Sequence, residues 1–284
     1  MSSQLFSVAQ FLTGCRLTPC SSLAELMTQT NLASSYVVIP ARLASTRLAR
    51  KLLLRETGKS VLQHTYEAAQ QASRPREVWV ATDHEEIAAE VERFGGKVQL
   101  TDPAARTGTD RVAELAGRLP EVDIVVNVQG DEPEISPDGI DLAIELLERD
   151  SSAVMSTLAT PIRSPAQLKD PACVKVVCNQ IGQALYFSRG VIPHARSWND
   201  ALLHTGRPNF LQHVGLYAYR KDFLLQLSSL PASELEKIEQ LEQLRVLSAG
   251  YSISVGIIEE PSIGIDTAED YRAFVERFRQ RTMP

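Results

Sequence analysis

Between Tyr36 and Arg55 the chain carries Arg42, Arg47, Arg50, Lys51 and Arg55 and not one acidic residue. Small residues, Ala41, Ala44, Ser45 and Thr46, lie among them, so backbone N–H groups can approach a ligand closely. A strand that runs into a small-residue loop with cations suits phosphate, which Arg grips with two donors and Lys meets as a point charge. The plain alternative is a solvated basic loop. A second segment, NVQGDEP (Asn127–Pro133), offers Asp131 and Glu132 after a turn at Gly130. Carboxylates beside a phosphate loop suit Mg²⁺, which takes few protein ligands and keeps water and substrate oxygens. A turn with helix-capping acids is the other reading. RTGTDR (Arg106–Arg111) sets Gly108 before a helix, where backbone groups can read a base edge, and GIDTAED (Gly264–Asp270) sets Asp266 after an apolar stretch, where an N-cap is the simpler role. The basic loop matches neither a dinucleotide-binding glycine motif nor a P-loop.

These loops need a frame. Tyr36–Pro40, Val78–Ala81, Val98–Leu100 and Asp123–Val128 read as apolar strands, with helices predicted over Ser60–Ser73, from an Asp83 cap to Phe94, over Thr109–Arg118 and over Asp138–Glu148. Gly95-Gly96 reads as the stop of the second helix. Continuous apolar strands alternating with helices predict an α/β fold: a Rossmann-like, mostly parallel sheet with helices on both faces. Ligands in such sheets bind beyond the carboxyl ends of the strands, where the basic loop and the NVQGDEP loop both lie. The second half reads as a small mixed-sheet insertion with strands at Val174–Cys178, Ala184–Phe187 and His213–Tyr219. A helix over Ser233–Ala249, a last strand over Ile253–Ile258 and a closing helix over Thr267–Arg279, capped near Asp266 or Thr267, follow. With no repeat or low-complexity linker, the expectation is one domain over 36–284 behind an extension, 1–35, that is disordered or loosely docked, or else an artefact of a start truly at Met27.

The chain has 284 residues and a formal charge of −6, which argues against nucleic acid as a partner and requires any anion to be held by a local basic cluster. No apolar run is long enough for a membrane span. Cys15, Cys20, Cys173 and Cys178 form no CxxC pair and gather no histidines, so zinc is not expected and reduced thiols in a cytoplasmic setting are.

Taken in order, VVIPARLASTRL, VWVATDHEEIAAEVERFGG, TGTDRVAEL, VVNVQGDEP, VKVV, ALYFSRGVIP, HVGLYAY, IEQLEQLRVL and GIDTAED resemble the CMP-Kdo synthetases (3-deoxy-manno-octulosonate cytidylyltransferases) of the nucleotidyltransferase superfamily, over about Tyr36 to Phe274. The resemblance implies the nucleotide-diphospho-sugar transferase type of fold and joining of CTP to the sugar acid Kdo, with release of diphosphate, for lipopolysaccharide biosynthesis. It also implies a cytoplasmic homodimer. By the same resemblance Arg42, Arg47 and Lys51 hold the triphosphate, and Thr107, Gly108, Arg111 and Gln129 lie near the cytosine or ribose. Asp131 and Asp266 bind Mg²⁺, and Arg189, His213, Tyr217, Glu242 and Gln243 meet the sugar. A buried structural role is the alternative for His213. The chain departs from the family's LPGKPL-like loop: Ala49, Arg50 and Leu52 stand where proline, glycine and proline are usual, and Thr107 replaces a serine. Competing functions are a cytidylyltransferase for another acidic sugar, such as an amino-Kdo analogue or a sialic acid, and a catalytically weakened nucleotide-binding regulatory protein.

Overall fold

The structure is a computed structural model that describes residues 33–44 and 47–282. The expectations for the N-terminal extension, Met27, Cys15 and Cys20, and for Ser45 and Thr46, lie outside the described residues. Strand β1 (Ser35–Ala41) shows why the sheet is covered twice: Val37 and Ile39 enter one apolar cluster and Val38 the other, all fully buried. A strand with apolar residues on both sides needs a layer on each.

The first half follows the expected alternation. Helix α1 (Val61–Ala69) starts where Ser60 Oγ accepts from the Gln63 N–H, and it stops short of the expected Ser73. Strand β2 (Glu77–Thr82) leads to α2 (Glu85–Arg93), which is capped by His84 rather than Asp83 and ends at Gly95 in the left-handed region (φ 76°). Strand β3 (Lys97–Leu100) and α3 (Gly108–Arg118) follow, with Thr107 and Asp110 forming a capping box. Strand β4 (Ile124–Asn127) is buried on both faces and precedes α4 (Pro137–Arg149), capped by Ser136 with proline at its first turn.

The second half departs more. A nine-residue strand that the sequence pattern did not reveal, β5 (Ala153–Pro161), runs through the core. Short α5 (Pro165–Lys169) leads to the hairpin strands β6 (Lys175–Cys178) and β7 (Ala184–Ser188). Strand β8 (Leu211–Arg220) runs directly into α6 (Lys221–Leu227). The single helix expected over Ser233–Ala249 is two, α7 (Glu234–Glu239) and α8 (Gln243–Ser248), because Gln240 takes a left-handed conformation (φ 53°). Strand β9 (Ser252–Ile257) and α9 (Ala268–Thr282) close the chain.

The sheet order is β3-β2-β1-β4-β8-β5-β9, with β6 joined to β8 and β7 to β6. Along the main path only β8 runs against its neighbours, so the sheet is mostly parallel and the reversed strand and hairpin form the mixed part. Helices α1, α2, α4 and α9 cover one face, and α3, α6 and α8 the other. Among the described residues no helix is long and apolar enough to cross a membrane. Cys173 is buried in a small apolar cluster, and burial pushes the Cys178 thiol up to about 11, as for thiols that serve as packing groups.

Candidate functional site

Because β1 and β4 pair in parallel, their carboxyl ends open at the same edge of the sheet. There a cleft of about 370 Å³ is lined by Pro40, Arg42, Ala44, Arg47, Lys51 and Leu52 from the β1 side. Gly108, Gln129, Gly130, Asp131 and Asp266 complete the wall. The basic cluster divides between two tasks. Arg42, Arg47 and Lys51 face the cleft, while Arg50 and Arg55 turn to α2 and pair with Glu86 and Glu90. Arg42 also donates to the Ala105 carbonyl at 3.0 Å, which ties the basic loop to the segment before α3.

Gly130 lies in close approach to β1. A Cβ there would lie 3.3 Å from the Pro40 carbonyl oxygen and 3.4 Å from Ile39, so a side chain would fit only if β1 or the loop gave by a few tenths of an ångström. The Thr65 hydroxyl, from α1, holds the Gly130 carbonyl at 3.0 Å. The turn thus delivers Asp131 to the cleft. Asp266 arrives from the other end of the chain: Ile265 N–H donates to the Asp131 carbonyl at 2.8 Å, and Thr267 rather than Asp266 caps α9 by accepting from Asp270 N–H. Freed from capping, Asp266 meets Arg47 at 3.0 Å and Lys51 at 3.1 Å.

Lys51 therefore stands between Asp131 and Asp266, bonded to both. Burial works against its charge, but the two carboxylates outweigh burial and its pKa is raised. Two carboxylates that share one cation position form a donor set that a divalent ion can use. Among the described residues no group of three or more His, Cys, Asp or Glu gathers elsewhere, so no all-protein metal cage competes with this pair. The neighbouring Glu132 accepts from Ser262 Oγ at 2.6 Å. Burial lifts its carboxyl to about 7, with the Asp131 charge adding to the rise and the Ser262 bond opposing it.

The residues expected near the base separate. Gly108 and Gln129 line the cleft, whereas the Thr107 hydroxyl is spent on capping α3. Arg111 is fully buried, donates to Thr101 and meets Asp83 at 2.8 Å. In this structure it braces α3 against the strands and does not reach the cleft, a role its place in a loop-to-helix motif concealed.

The residues expected to meet the sugar fall just after β7, on β8 and at the start of α8. His213 and Tyr217 are near neighbours on β8, with ring centroids 5.4 Å apart, and Phe187 packs its ring against His213 at 5.0 Å. Burial drives the His213 imidazole down to about 3, so it is neutral, and burial with the charges of Glu242 and Glu132 raises Tyr217. Glu242 accepts from Thr109 Oγ1 at 3.0 Å, and burial raises its carboxyl. Gln243 is 3% exposed, yet its Nε2 has no partner. A buried amide donor left unpaired is available to a ligand. Arg189 differs: its guanidinium donates to the carbonyls of Glu239, Pro171 and Gln240, and so clamps β7 to the α7–α8 break. Sequence reasoning missed Thr109, which holds Glu242, and Thr157, which holds His213. Both are threonines that look like ordinary strand or helix residues, so nothing but contact geometry reveals them.

Three comparisons relate the chain to known proteins. A family model described as cytidylyltransferase matches residues 36–254. A 3-deoxy-manno-octulosonate cytidylyltransferase of Rhodopirellula baltica is 50% identical over 246 residues, 86% of this chain and 98% of that one. One of Geotalea uraniireducens is 49% identical over 247 residues, with the same coverage. The solved structure of a CMP:2-keto-3-deoxy-manno-octonic acid synthetase complexed with CTP superposes with a TM-score of 0.81 at 39% identity, over 88% of this chain and 100% of that one. A 4-diphosphocytidyl-2C-methyl-D-erythritol synthase of Anaerococcus prevotii, 17% identical with a TM-score of 0.59, shares the fold. On this similarity the chain belongs to the cytidylyltransferase family, among the 3-deoxy-manno-octulosonate cytidylyltransferases.

Proposed function

We propose that the protein activates Kdo: CTP and 3-deoxy-D-manno-octulosonate give CMP-Kdo and diphosphate, for lipopolysaccharide biosynthesis. The observation that carries this reading is the meeting of Asp131 and Asp266 on one ammonium group, inside the cleft bounded by Arg42 and Arg47. The names of the relatives point to Kdo, and neither another acidic sugar nor a regulatory role gains support from them.

The reaction needs an oxygen of the sugar to reach a phosphorus surrounded by negative charge. The anomeric hydroxyl of Kdo forms the new O–P bond at the α-phosphorus of CTP, the bond from that phosphorus to the bridging oxygen breaks, and the hydroxyl proton leaves to solvent. Arg42, Arg47 and Lys51 hold the phosphates and neutralise the charge that gathers on the departing diphosphate. Asp131 and Asp266 would hold Mg²⁺, which when bound screens the phosphate oxygens and polarises the α-phosphorus. Lys51, which bonds both aspartates here, would then turn to the phosphates. Gly108 and Gln129 border the space for cytosine and ribose. His213, Tyr217, Glu242 and Gln243 supply hydrogen-bonding groups for the sugar hydroxyls. A cytoplasmic homodimer belongs to the same proposal, and sedimentation of the purified protein tests its assembly.

Diphosphate release measured with each of four nucleoside triphosphates, a panel of sugar acids and Mg²⁺ decides the matter. Release with CTP and Kdo alone is the expected result. Preference for a sialic acid or an amino-Kdo analogue, or a folded protein that is silent with every pair, would overturn the assignment.

A further inference from the structure

We infer that Thr157 is a positioning residue that fixes His213 as its Nε2–H tautomer, so that Nδ1 is presented to the sugar acid as a hydrogen-bond acceptor. This rests on the placement of His213 at the sugar proposed above.

A bulge interrupts the pairing of β5 with β8. Strands β5 and β8 pair at Thr157 with Tyr217 and then at Leu158 with Val214, which leaves Gly215 and Leu216 without ladder partners. Into this irregularity points the Thr157 hydroxyl, on a residue with no solvent exposure. It has three neighbours: the Leu216 carbonyl at 2.8 Å, the Val214 carbonyl at 3.1 Å and His213 Nε2 at 3.0 Å. A hydroxyl has one proton to give, and the two carbonyls can only accept. If the proton went to His213, the Thr157 oxygen would face both carbonyls with lone pairs alone. If it goes to a carbonyl, that oxygen can accept from His213 Nε2–H and only one lone-pair contact remains. Proton counting therefore favours the second arrangement, and a histidine tautomer is set by the bond its other nitrogen makes.

Nδ1 is then bare of hydrogen. Among the described residues it has no hydrogen-bond partner, and the ring is held in place by Phe187 and Tyr217. Burial keeps the imidazole uncharged at neutral pH, so the nitrogen remains an acceptor throughout the working range. An acceptor of this kind welcomes a sugar hydroxyl and repels a carboxylate oxygen. His213 would thus read a hydroxyl of the sugar acid, leaving the acid group to other partners.

Two measurements test this on the full-length protein. With ¹⁵N-labelled histidine, the His213 ring, assigned by its loss in His213→Gln, should show a proton on Nε2 and none on Nδ1. In steady-state kinetics, Thr157→Val should raise KM for Kdo about tenfold, the effect of one misdirected hydrogen bond, while KM for CTP stays within about twofold. Thr157→Ser, which keeps the hydroxyl, should restore the parental KM, and it covers the case in which the valine variant folds poorly. A proton on Nδ1, a cationic ring, a parental KM for Kdo in Thr157→Val, or equal rises for both substrates would overturn the inference. A parent enzyme that ignores Kdo would instead strike down the proposed function, while the ring spectrum still reports the tautomer.

Discussion

The proposed phosphate and sugar ends of the site are built by opposite means. At the phosphate end, Arg47, Lys51, Asp131 and Asp266 balance full charges against one another, and the Arg47 and Asp266 side chains remain well exposed. At the sugar end, His213 is stripped of charge and Glu242 is pushed towards its neutral form by burial, while Gln243 contributes an uncharged amide. A triphosphate is met by charge, which tolerates imprecise geometry. A polyhydroxy acid is distinguished by where its donors and acceptors lie, which demands desolvated groups of fixed orientation. Substitutions should therefore injure the two ends differently.

The largest effect is expected at the charged end. Asp131→Asn should lower kcat by about 10³-fold or more while the protein still folds, since loss of electrostatic stabilisation of a transferring phosphoryl group is among the costliest losses to a site. Near-normal turnover would remove Asp131 from the reaction. Lys51→Ala should cost nearly as much in kcat with CTP. In the absence of nucleotide, however, it should bind Mn²⁺ more tightly than the parent, because the ammonium no longer occupies the place between the carboxylates. Weaker Mn²⁺ binding in that variant would contradict the shared-position argument.

At the uncharged end, function and stability should part company. Gln243→Leu removes a buried donor with no partner, so unfolding free energy should rise by about 1 kcal/mol, while KM for the sugar rises about tenfold. Denaturant melts and kinetics on one preparation test both halves. If stability fell, the Gln243 amide would have a partner after all. His213 gives the pH counterpart. Its folded pKa, about 3, lies below the ordinary 6.5, so the neutral ring contributes stability that is complete above 6.5 and is lost as pH falls through that window towards 3. Between about pH 7 and pH 5 the loss amounts to at most about 2 kcal/mol, and His213→Gln should flatten that part of the stability curve.

The same contrast governs what could be read in advance. The phosphate end is legible because each of its main pieces is local: a strand followed at once by a run of cations, and a second strand followed by a glycine turn and an acid. The sugar end is assembled across β5, β7, β8 and α8, and its first contributor escaped notice. In Ala153–Pro161 the small residues Ser156, Thr157, Ala159 and Thr160 are buried on both faces, so the strand has neither alternation nor a branched apolar run to announce it. Gln240 hid the break between α7 and α8 because glutamine is a good helix former and nothing local marks its left-handed turn. Arg111 shows the reverse failure, a cation beside a promising glycine whose charge is spent inside the core.

The smallest predicted effect concerns the basic loop at Arg50, the position at which the family resemblance leads one to expect glycine. Arg50 is left-handed (φ 55°), a conformation that costs an L-residue roughly 1–2 kcal/mol. Its side chain turns away from the cleft to Glu86, an exposed pair whose contribution is about 0–1 kcal/mol. Arg50→Ala loses the pair and keeps the strain. Arg50→Gly also loses the pair but relieves the strain, partly offset by the roughly 0.5–1 kcal/mol that glycine's freedom costs the folded state. The glycine variant should thus be more stable than the alanine variant by about 0.5–1 kcal/mol in chemical denaturation, with KM for CTP unchanged in both. Equal stabilities would mean the turn is unstrained, and a raised KM for CTP would bring Arg50 back to the phosphates. Because Lys51 follows directly, a loop that holds its shape with arginine in the glycine position keeps the ammonium between the two aspartates by local backbone geometry rather than by the proline and glycine it lacks.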